Sequence, residues 1–126
     1  MDEIELVSYH TFSVDVKASS GKTYEGSFTT HRPTVGEIVE MEMIESRELG
    51  GMKNVSKVES NLARMLSVLD VVIDSSPEWW KPRKLEDLEV VQVVYEKYIS
   101  YLREFQRQVR SKRESEGDFY QYRILV

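Results

Sequence analysis

Polar and apolar residues alternate over Phe12, Ser13, Val14, Asp15, Val16 and Lys17, and Ile4 and Leu6 keep the parity of the apolar set. A period of two belongs to a strand with one face buried. Ser19-Ser20-Gly21-Lys22 supplies a turn in which Gly21 can take a positive φ. The alternation resumes from Thr23 to Thr30, with Tyr24, Gly26 and Phe28 on one face and Glu25, Ser27 and Thr29 on the other. Two such runs across a short turn predict an antiparallel hairpin over about residues 4–30. A hairpin alone is marginal in water, so its apolar face must pack on something.

The period then changes. Pro33 ends the strand pattern, and Thr34-Val35-Gly36-Glu37 fits a capping box, in which Thr34 and Glu37 each bond a backbone N–H of the first turn. Val35, Ile38, Val39 and Ile44 follow at helical spacing, and Gly50-Gly51 closes the segment, predicting a helix over 34–48. Asn54 and Ser56 compete to cap a second helix over 55–74. Val55, Val58, Leu62, Met65, Leu66, Leu69, Val72 and Ile73 give it the cleanest apolar stripe in the chain. Asp74-Ser75-Ser76-Pro77 reads as its stop signal. After the connector Glu78-Trp79-Trp80-Lys81-Pro82, a third helix is predicted over 87–111, marked by Val91, Val94, Tyr95, Tyr98, Leu102, Phe105 and Val109. Phe119 to Val126 is rich in aromatic and β-branched residues, so a terminal strand is expected over 119–125. That strand has two readings: it returns to the hairpin, or it adds to a sheet edge on another molecule. Strands grouped apart from helices predict an α+β fold, with the hairpin packed against three helices.

Composition bounds the rest. A length of 126 residues suits one domain spanning 1–126. The absence of cysteine removes disulfides, thiol catalysis and thiolate metal sites. Apolar runs of only a few residues exclude a membrane-spanning helix. The acidic start Met1-Asp2-Glu3-Ile4-Glu5 does not suit a signal peptide, and the lack of cysteine is compatible with a reducing cytoplasm. The net charge of −5 divides into −7 over residues 1–80 and +2 over residues 81–126. An acidic chain without a basic face is a poor nucleic-acid ligand, and the basic stretch Arg103, Arg107, Arg110, Lys112 and Arg113 is explained by its place near a helix C-terminus.

Catalytic chemistry finds little footing. His10 and His31 belong to no recognisable metal spacing, and Glu37, Glu40, Glu42, Glu45 and Glu48 read as a solvated acidic helix. Gly21-Lys22-Thr23 resembles the end of a phosphate loop, but Val16 stands where the motif needs its first glycine. A non-enzymatic protein without a cofactor or metal is expected. Trp79 and Trp80 stand out and have two readings: both plug the junction between helices two and three, or, as adjacent residues of an extended segment, they point to opposite sides, one to the core and one to a partner.

The arrangement Gly21-Lys22-Thr23-Tyr24-Glu25-Gly26-Ser27-Phe28, then Pro33-Thr34, Gly50-Gly51, Ser76-Pro77-Glu78-Trp79-Trp80, Asp87-Leu88-Glu89-Val90, Val94-Tyr95 and Phe105 resembles the tail assembly chaperones of long-tailed bacteriophages. The resemblance covers about residues 12–105; the end of the third helix and the segment from Phe119 to Val126 lie outside it. It implies a protein of the host cytoplasm that self-associates and binds the tape-measure protein until tail-tube protein displaces it. Trp79, Trp80, Tyr95 and Tyr98 are then the expected partner contacts. The competing expectation is a structural subunit of the tail, baseplate or neck that stays in the virion.

Overall fold

The computed structural model describes residues 9–50 and 55–115, with side chains through Lys112. The chain runs β1 (Tyr9–Lys17), β2 (Thr23–His31), α1 (Val35–Leu49), α2 (Lys57–Val72), β3 (Ile73–Ser75), a single 3-10 turn (Pro82–Lys84) and α3 (Leu88–Ser115). This is an α+β fold with one antiparallel sheet in the order β1-β2-β3. The expected hairpin and three helices are present. The part of the hairpin before Tyr9 and the strand expected over 119–125 lie outside the described residues.

The parity of the hairpin decides its register. Phe12 pairs with Phe28, Val14 with Gly26 and Val16 with Tyr24, so both apolar sets share one face. On the other face Thr11 and Thr29 hydroxyls meet at 3.1 Å and those of Ser13 and Ser27 at 3.3 Å. Gly21 turns the chain at φ 93°, the left-handed region that glycine enters without penalty.

β3 was not foreseen. The chain passes straight from α2 into three extended residues, and Thr30 pairs with Ile73 and Thr29 with Ser75 across a register shift. The segment read as a helix stop is therefore also the third strand. Its information is mostly nonlocal: it is too short for periodicity, and β2 supplies its ladder.

α2 and α3 lie on the apolar face of the sheet, and α1 packs beside α2. Phe28, Val14, Leu69, Val72, Val94 and Tyr98 are each at most 2% exposed and form the centre of the core with Leu66 and Val91. A smaller cluster of Ala18, Tyr24 and Val90 closes the hairpin end, with Trp79 and Leu85 against it. Full burial of such side chains contributes roughly 1.5–3 kcal/mol each. α3 runs antiparallel to β1: Tyr101 stacks on His10 (centroids 4.3 Å apart), Lys97 Nζ donates to the Ser13 carbonyl (2.8 Å), and Glu89 accepts from Ser19 N–H (2.9 Å).

Candidate protein-binding surface

α1 is the anomalous element. It has 15 residues and none is buried. Its ends are well made: Thr34 and Glu37 form the expected capping box, and Gly50 closes it at φ 47°. It is tied to the rest of the fold by a polar contact near each end and by Met41 between them.

At the N-terminal anchor, His31 sits between two carboxylates. One ring nitrogen, Nδ1, lies 2.8 Å from Asp74 of β3, and the other, Nε2, lies 2.8 Å from Glu37 of α1. Each contact is best made by an N–H donor, and only the imidazolium offers two. Burial alone would lower the His31 pKa, but the bonds to Glu37 and Asp74 outweigh it and hold the value above the ordinary range. Glu37 is correspondingly held low, first by the Thr34 backbone N–H and then by His31. The His31 carbonyl accepts from Tyr98 Oη at 2.8 Å, so the node also ties in α3.

At the other end, Arg83 joins α1 to α2. Its Nε donates to Glu48 at 2.6 Å, Nη2 also reaches Glu48, and Nη1 and Nη2 reach the two Asp70 oxygens at 3.1 and 2.7 Å. Glu37 and Glu48 were expected on a solvated acidic face. Glu37 is instead half-buried against His31, and Glu48, which is exposed as expected, is also held by Arg83.

The side of α1 away from these contacts faces outward. Met41 packs on the core, while Val35 is 82% exposed, Val39 56% and Met43 64%. The three lie at steps of four residues and so form one line along the helix. The residues that mark the apolar periodicity of α1 are thus largely the ones shown to solvent.

Trp79, Trp80, Tyr95 and Tyr98 lie elsewhere. Trp79 and Trp80 do not point to opposite sides. Trp80 N–H bonds the Pro77 carbonyl (3.0 Å) in a turn, and both indoles meet the Phe28 ring edge-on, at 5.8 Å for Trp79 and 5.2 Å for Trp80. Trp79 Nε1 donates to the Glu25 carbonyl at 2.9 Å. Both are half-buried lids on the sheet, since a turn, unlike an extended strand, does not alternate its side chains. Tyr98 is fully enclosed, so reaching a partner would require opening the core. Tyr95 is half-buried and lines an open groove of about 350 Å³ between α2 and α3, with Asn61, Arg64 and Met65 opposite. The four therefore do not form one surface. Of the exposed line on α1, Val35 and Val39 belong to the apolar periodicity of the sequence and Met43 does not, and the periodicity says nothing of which way the line faces.

Among the described residues, no group of three or more His, Asp or Glu side chains is arranged to hold a metal ion, and no helix is long and apolar enough to cross a membrane. Compared with known proteins, the chain matches no family model, no curated protein and no solved structure.

Proposed function

We propose that this protein is a non-enzymatic binding protein that acts as a bacteriophage tail assembly chaperone, shielding an apolar helix of the tape-measure protein during tail assembly. One observation carries the reading: α1 is capped at both ends, anchored through Glu37 and Glu48, and keeps Val35, Val39 and Met43 in solvent. A helix fixed at both ends while its apolar line stays open resembles the receiving half of a helix–helix interface. Such a surface releases a partner readily because its apolar area is small, which suits a chaperone that must yield to tube protein.

Co-expression with the tape-measure protein of the same phage tests this. The expected result is a larger soluble fraction of that partner and a recovered complex, both lost with Val39→Asp. An insoluble partner with no complex would refute the proposal. Detection of the chain in mature virions would instead favour the structural-subunit reading.

A further inference from the structure

The exposed line of α1 is bordered by carboxylates. In helical projection Glu42 and Glu45 fall on one side of Val35, Val39 and Met43, and Glu40 on the other, beside Arg47. Of the five glutamates in α1, Glu37 is paired to His31 at a half-buried site and Glu48 to Arg83 at an exposed one. Glu40, Glu42 and Glu45 have no ion-pair partner among the described residues, and α1 contains one base, Arg47. Glu40 and Glu42 are exposed and Glu45 half-buried.

Open carboxylates are at ease in water, yet they restrict what can lie between them. A partner helix with acidic borders would bring like charges together across a partly dried seam. One with Lys or Arg beside its apolar stripe would satisfy both sides. We infer that the occupant of this face is a basic amphipathic helix, its apolar stripe on Val35, Val39 and Met43 and its cations against Glu40, Glu42 and Glu45. The inference rests on the docking reading above and adds the chemistry of the partner. From residue 35 to residue 43 the line spans about 12 Å, or roughly two turns. A partner of three to four turns therefore covers it and places charges along both borders.

The test uses the full chain and three labelled peptides of about 18 residues, long enough for helix formation on binding. One carries a Leu stripe bordered by Lys, one the same stripe bordered by Glu, and one the Lys peptide scrambled. Fluorescence anisotropy should show the Lys-bordered stripe binding about tenfold more tightly than the Glu-bordered one, the scale that a few exposed ion pairs support. That preference should shrink at high salt and in Glu40→Gln/Glu42→Gln/Glu45→Gln, and binding should vanish in Val39→Asp with an unchanged circular dichroism spectrum. Equal binding of the two stripe peptides overturns the basic partner while leaving the docking reading intact. Scrambled peptide binding as tightly as the stripe also overturns it, since charge alone would then suffice. No binding by any peptide overturns both readings. Self-association of the chain that Val39→Asp abolishes would assign the face to a second copy and likewise overturn the inference.

Discussion

Gly26 of β2 lies directly under Pro77: a Cβ at position 26 would come within 2.8 Å of the proline Cβ and closer still to its Cγ. The hairpin and the turn before the tryptophans approach each other here without side-chain space between them. Gly26→Ala should cost about 1–3 kcal/mol, as overpacking of a close contact does. Urea unfolding measures it, and Pro77→Ala in the same chain should return part of the loss. An unchanged midpoint in Gly26→Ala would contradict the close approach.

The two histidines should titrate on opposite sides of the ordinary value of about 6.5. His31 is raised by Glu37 and Asp74 against the effect of burial, so its contribution to stability is full below about pH 6.5 and is lost as pH rises through its folded value. Glu37 is lowered, so its contribution is present above about pH 4.3 and lost as pH falls through its folded value. The node is therefore strongest between those limits. His10 is lowered by burial against Tyr101, so protonating it opposes folding and its contribution is lost as pH falls. Proton NMR should resolve one histidine titrating above and one below the ordinary value, and His31→Gln should remove the upper of the two. The reverse order would refute the clamp.

Tyr98 should behave as a core residue. Tyr98→Phe deletes the bond to the His31 carbonyl and should cost about 1 kcal/mol, whereas Tyr98→Ala should cost about 3–5 kcal/mol through the cavity it leaves. Tyr95→Ala, on the rim of its groove, should cost less than Tyr98→Ala. Chemical denaturation of the three variants gives the ranking, and a Tyr98→Ala protein as stable as wild type would return this side chain to the list of surface contacts.

The outward line of α1 makes a contrasting prediction. Val39→Asp and Met43→Asp should change stability by no more than about 0.5 kcal/mol, because both side chains are already largely in water. Met41→Asp, on the side that packs against the core, should destabilise the fold clearly. Thermal melts of the three compare the two faces of one helix directly.

Much of the architecture was legible because it is local. Hairpin parity follows from the alternation of Phe12, Val14 and Val16 with that of Tyr24, Gly26 and Phe28, and α1 begins and ends where Thr34, Glu37 and Gly50 say it should. Ser56, rather than Asn54, caps α2, its hydroxyl accepting from Glu59 N–H at 3.1 Å. What was not legible depended on distant partners. β3 is three residues that become a strand only beside β2, and Trp79 and Trp80 share one side because a turn carries both over Phe28.

The sequence by itself determined the α+β class, the facing of the hairpin strands and the presence and start of each helix, because periodicity, caps and turns act within a few residues of each other. It also placed Val35 and Val39 on one helical stripe. Only the tertiary structure decided that this stripe looks outward. Glu37 and Glu48 share the inner side of α1 with Met41 and Ile44, where they meet His31 and Arg83, and Val35 and Val39 are left on the outer side. A hydrophobic pattern records which residues lie together on a helix; which side turns inward depends on what the rest of the chain presents to it.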